Sequence, residues 1–93
     1  MKALWNGHLL AESDDTVIVN KNHYFPMSSV RHEYFVSSNT TTRCLWKGKA
    51  CYYSVVVDGK ENKDAAWCYS APMCGANKIK GMIAFWHGVE ITE

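Results

Sequence analysis

Apolar residues along this chain recur in short alternating or continuous runs separated by turn-forming pairs, the pattern of β-strands joined tightly rather than of amphipathic helices. Ala3-Leu4-Trp5 and His8-Leu9-Leu10-Ala11 flank Asn6-Gly7, a pair that accepts the positive φ angles of a type I′ turn, so the N-terminus predicts a hairpin. Ser13-Asp14-Asp15 turns the chain again. Thr16 to Val19 is β-branched throughout, which predicts a well-buried strand. After a turn over residues 20–22, His23-Tyr24-Phe25 predicts a further strand closed by Pro26. Residues 28–30 then predict a single helical turn, with Arg31 to Val36 extended.

The pattern sharpens between Thr40 and Tyr69. Tyr52 to Val57 and Ala65 to Tyr69 lie on either side of Asp58-Gly59, which predicts a central hairpin with an irregular return through Lys60 to Asp64. Alternation puts Tyr53, Val55 and Val57 on one face and Tyr52, Ser54 and Val56 on the other, so both faces of that strand should be covered. Only residues 76–82 read as helical, a short helix following Pro72 and Gly75 and ending near Gly81. Ile83 to Trp86, His87-Gly88 and Val89 to Ile91 predict a closing hairpin. With no repeat, linker or low-complexity segment, residues 1–93 form one mainly β, antiparallel domain.

Charge and composition exclude some functions. Ten basic and nine acidic side chains leave a formal charge of +1, without the basic stripe a nucleic-acid binder needs. No apolar run has signal-peptide length or approaches the ~20 residues that span a bilayer, so no membrane partner and a cytoplasmic location are expected. Four cysteines, at 44, 51, 68 and 74, are then expected as free thiols. Their spacings do not match zinc knuckles, and His8, His23, His32 and His87 form no ligand pair, so neither a metal nor another cofactor is expected.

The segment Cys44-Leu45-Trp46-Lys47-Gly48 places a thiol, an indole, an ammonium and a flexible glycine within five residues. A lysine and a glycine in an apolar context need a local reason. One reading is a small-molecule-binding module: Trp46, Tyr52, Trp67 and Tyr69, with Arg31 or Lys47, line a concave site where a flat ligand stacks. Trp67 and Tyr69 share one strand face, which permits an aromatic wall, although the same rings serve equally as core. The alternative is a thiol enzyme with Cys44 as nucleophile, its thiolate favoured by Lys47 and a histidine moving the proton. A homodimer through an aromatic strand edge also remains open.

Together, residues 11–13 leading into Thr16 to Val19, His23 to Pro26, Cys44 to Ala50, Ala65-Ala66-Trp67 with Tyr69 and Pro72, and Ala84-Phe85-Trp86 resemble the domain of unknown function 427 family of small, mostly bacterial proteins. The resemblance covers nearly the whole chain. It departs from the family's Cys-Pro-Trp-Lys-Gly element in having Leu45 where the family has proline, and Cys51 and Cys74 lie outside the pattern. The resemblance implies a β-tent, Mss4-like arrangement of antiparallel strands, here without the paired cysteine knuckles of zinc-bearing relatives. A nucleotidyltransferase label also attaches to the family. That activity needs carboxylates converging on a metal beside a phosphate-cradling turn, whereas Asp14 and Asp15 are adjacent and follow no such turn.

Overall fold

Asn6 (φ 52°) and Gly7 (φ 76°) both adopt left-handed backbone, as a type I′ turn requires, and join β1 (Lys2–Trp5) to β2 (His8–Glu12) as the sequence predicts. The computed structural model describes residues 1–44, 47–69 and 77–93, with the side chains of residues 44 and 77 outside that description. Asn20 and Lys21, both at positive φ, make the same kind of turn between β3 (Val17–Val19) and β4 (Asn22–Pro26). Asp58 and Gly59 do so between β6 (Gly48–Val57) and β7 (Lys60–Cys68).

Among the described residues the remaining elements are β5 (Phe35–Cys44), β8 (Met82–Phe85), β9 (Glu90–Thr92) and three 3-10 turns at Met27–Ser29, His32–Tyr34 and Asn77–Ile79. The strands form two antiparallel sheets, one of order β2-β1-β9 and one of order β3-β4-β8-β7-β6-β5. The fold is therefore mainly β.

Four local expectations are corrected. The helix expected over 76–82 is replaced, within its described part, by the 3-10 turn Asn77–Ile79 and the start of β8. Ile79 is fully buried, Lys80 bridges to Tyr69, and Gly81 N donates to Tyr69 O at 3.1 Å, so sheet pairing claims the backbone before a helix can propagate. Strand β3 is an edge strand with Ile18 59% exposed, because it has a neighbour on one side only. The expected extended run from Arg31 begins instead with the 3-10 turn at His32–Tyr34. Finally, the turn at His87 and Gly88 exists, with Val89 N donating to Trp86 O at 3.2 Å, but the strands it joins belong to different sheets. It is a corner between sheets and closes no hairpin.

Two apolar clusters use the two faces of the large sheet. One contains Phe25, Val55, Val57, Ala66, Ile83 and Phe85 from the large sheet with Ala3, Leu10 and Ala11 from the small one, so it lies between the sheets. Burying side chains such as Phe25 and Val55 contributes about 1.5–3 kcal/mol each. The second cluster, on the opposite face, contains Tyr24, Ala50, Tyr52, Trp67, Tyr69, Ile79 and Ala84. Tyr53, Val55 and Val57 thus serve the first and Tyr52 the second, which is the two-sided coverage the alternation predicts. Polar contacts tie the hairpin ends together: Asn6 Nδ2 donates to Val57 O at 3.4 Å, and His8 Nε2 lies 3.0 Å from Asp58 Oδ2.

Candidate ligand-binding site

Lys47 enters β6 from the turn after β5, and the pairing of Cys44 with Gly48 directs the chain back across the aromatic face of the large sheet. Its residue is only 6% exposed. A buried ammonium needs donors and charge satisfied locally. Its Nζ lies 3.5 Å from Tyr24 Oη, within hydrogen-bond reach, and 5.8 and 5.9 Å from the ring centroids of Tyr24 and Tyr69. Those last two distances bring both ring faces within cation–π range.

Tyr24 organises this end of the site. Its hydroxyl oxygen accepts from Trp67 Nε1 at 3.2 Å as well as from Lys47, and its ring meets Trp67 edge to face at 6.2 Å and 89°. Register explains the convergence: Trp67 pairs with Tyr52 on one side and Ala84 on the other, and the small Ala84 leaves room for Tyr24 from β4. Tyr52 Oη is 3.0 Å from Thr42 Oγ1, which anchors the outer edge of the ring layer.

From Trp67 the aromatic surface continues outward to Trp86, which is 43% exposed and lies 5.4 Å from Trp67 and 6.1 Å from Tyr52 between ring centroids. His87 stacks on Trp86 at 4.1 Å. Trp86 Nε1 donates to Asp64 O at 2.5 Å, fixing the indole over the sheet. Asp64 itself sits at positive φ (55°) in a β-bulge of β7, where its amide donates to Ser54 Oγ at 3.2 Å. The Ser38 and Thr40 hydroxyls hold the Asp64 carboxyl below the ordinary carboxylate range. Thr40 Oγ1 donates to Oδ2 at 2.7 Å, while Oδ1 is buried without a partner among the described residues.

Of the residues the sequence marks, Lys47, Tyr52, Trp67 and Tyr69 gather on this face. Arg31 does not join them; it is exposed between two 3-10 turns, with its amide donating to Leu10 O at 2.7 Å. Trp46 and the Cys44 thiol lie outside the described residues. Tyr24 and Trp86 lie in segments that carry the family resemblance, but neither they nor Asp64 were marked as site residues. Only the position of Tyr24 in a strand beside Phe25 hinted that its ring leaves the opposite face of β4. Among the described residues no three His, Cys, Asp or Glu side chains gather to hold a metal ion, and no helix is long and apolar enough to cross a membrane.

Two antiparallel sheets around one core, with a second face of stacked rings enclosing a lysine, define a small β domain. The chain belongs to the family described as Domain of unknown function (DUF427), whose model matches residues 1–93. No curated protein matches it.

Proposed function

We propose that this domain binds a small, flat molecule carrying an anionic or acceptor group, on the aromatic face that runs from Lys47 to Trp86. The observation that carries the reading is the Lys47 ammonium, enclosed by Tyr24 and Tyr69 at 6% exposure. Burying a charge costs several kcal/mol unless partners compensate; the Tyr24 hydroxyl and the faces of Tyr24 and Tyr69 are among those partners, and they hold a positive charge at one end of the aromatic face, where it attracts an acidic ligand.

Trp86 supplies the accessible stacking surface, with Trp67 and Tyr52 behind it. Stacking gives affinity with little specificity, and the ammonium adds attraction for an acceptor in a weakly screened setting. A thermal-shift screen of planar acidic compounds on the wild-type protein, Lys47→Met and Trp86→Ala tests this. Hits should raise the wild-type Tm and lose most of that rise in both variants. No hit in the wild type, or shifts retained in both folded variants, would overturn the reading.

A further inference from the structure

The face of the large sheet that packs toward the small sheet carries a pair of thiols that the aromatic site does not use. Cys51 of β6 and Cys68 of β7 are direct register partners, so their side chains stand next to each other on one face. Cys68 is 4% exposed and Cys51 is half-buried, which leaves an approach from one side. Ile83 is the register partner of Cys68 across β8, and Tyr53 follows two residues after Cys51 on the same face. Both line a cleft of about 190 Å³ that also includes Phe35 and His32, so the thiols sit beside an opening in the surface.

Backbone hydrogen bonds decide what this pair can do. Trp86 N donates to Ala65 O and Gly81 N donates to Tyr69 O, so the odd-numbered residues of β7 direct their backbone groups toward β8. The groups of Cys68 then point toward β6, which makes Cys51 and Cys68 a hydrogen-bonded pair. Such pairs hold their Cβ atoms near the wide end of the ~4.5–5.5 Å cross-strand range. An unstrained disulfide needs about 3.5–4.5 Å. A bridging ion adds its own width, since sulfurs on opposite sides of one metal stand roughly 4 to 5 Å apart, about twice a metal–thiolate bond of ~2.3 Å.

We propose that Cys51 and Cys68 form a two-coordinate dithiolate site for a soft monovalent cation of the copper(I) class. Soft thiolates select such an ion, and a linear pair of ligands is sufficient for it. On binding, two S–H bonds break, two metal–sulfur bonds form, and two protons leave to solvent, with no change in oxidation state. The site lies on the opposite side of the sheet from Lys47 and is independent of it.

The test is an anaerobic titration of the full chain with copper(I) against a chromophoric chelator, in a Cys44→Ser/Cys74→Ser background that leaves only this pair. One copper(I) per chain should bind, and either Cys51→Ser or Cys68→Ser should weaken binding by at least about tenfold. Cys51→Ser is the safer variant because its position is half-buried, and circular dichroism shows whether each variant is folded. Absence of uptake in the background protein, or uptake undiminished in a folded serine variant, would overturn the proposal. So would rapid closure to a disulfide under mild peroxide without copper uptake, which would assign the pair to thiol oxidation.

Discussion

Tyr24 is the residue on which the aromatic face depends, because one hydroxyl oxygen serves two buried donors, Trp67 Nε1 and Lys47 Nζ. Tyr24→Phe keeps the ring and the packing but deprives the indole N–H of its acceptor. Leaving a buried donor unsatisfied costs about 1–3 kcal/mol, so the urea midpoint should fall accordingly with an unchanged slope. A change below about 0.5 kcal/mol, the range of ordinary surface substitutions, would show that the hydroxyl is not the acceptor that matters. At this scale the sequence showed part of the site. Lys47 stood out because a lysine in an apolar run requires compensation, and Trp67 with Tyr69 because strand parity puts them together. Tyr24 did not stand out: its role comes from β4 lying beside β8, a long-range pairing without a local signature.

At the scale of elements, the turns were the most legible features. Asn6-Gly7 and Asp58-Gly59 hold the positive φ angles that these residue types tolerate. Strand β5 was harder to read, since residues 37–43 are all polar; like β3 it is an edge strand of the large sheet, where alternation is not enforced by burial. The bulge in β7 was visible only as an irregular return, because Asp64 at positive φ is stabilised by partners in β5 and β6. Its carboxyl is held below the usual range, by Ser38 first and Thr40 next, so it favours the fold at pH above the ordinary carboxylate value. That contribution is lost as pH falls through the lowered value of the folded state. Asp64→Asn should therefore be less stable than wild type near neutrality, with the difference shrinking in acid. Equal differences across the acidic range, measured by urea titration, would remove the carboxylate from the account.

For the whole molecule, the sequence indicated one antiparallel β domain but not its division into two sheets. The corner at His87 and Gly88 looks locally like a hairpin turn, yet β8 pairs with β4 and β7 while β9 pairs with β1. Partner choice is set by which faces must be buried together, and here β9 helps the small sheet cover one side of the large one. The other side is left to the ring layer around Lys47, and the functional reading follows from that asymmetry. The most direct measurement is competitive labelling of the lysines with trace acetic anhydride on the native protein, read site by site by mass spectrometry. Lys47 should label at least about tenfold more slowly than exposed lysines such as Lys49 and Lys78, and should equalise with them on unfolding. Native labelling of Lys47 at the rate of Lys49 would contradict an ammonium enclosed by Tyr24 and Tyr69.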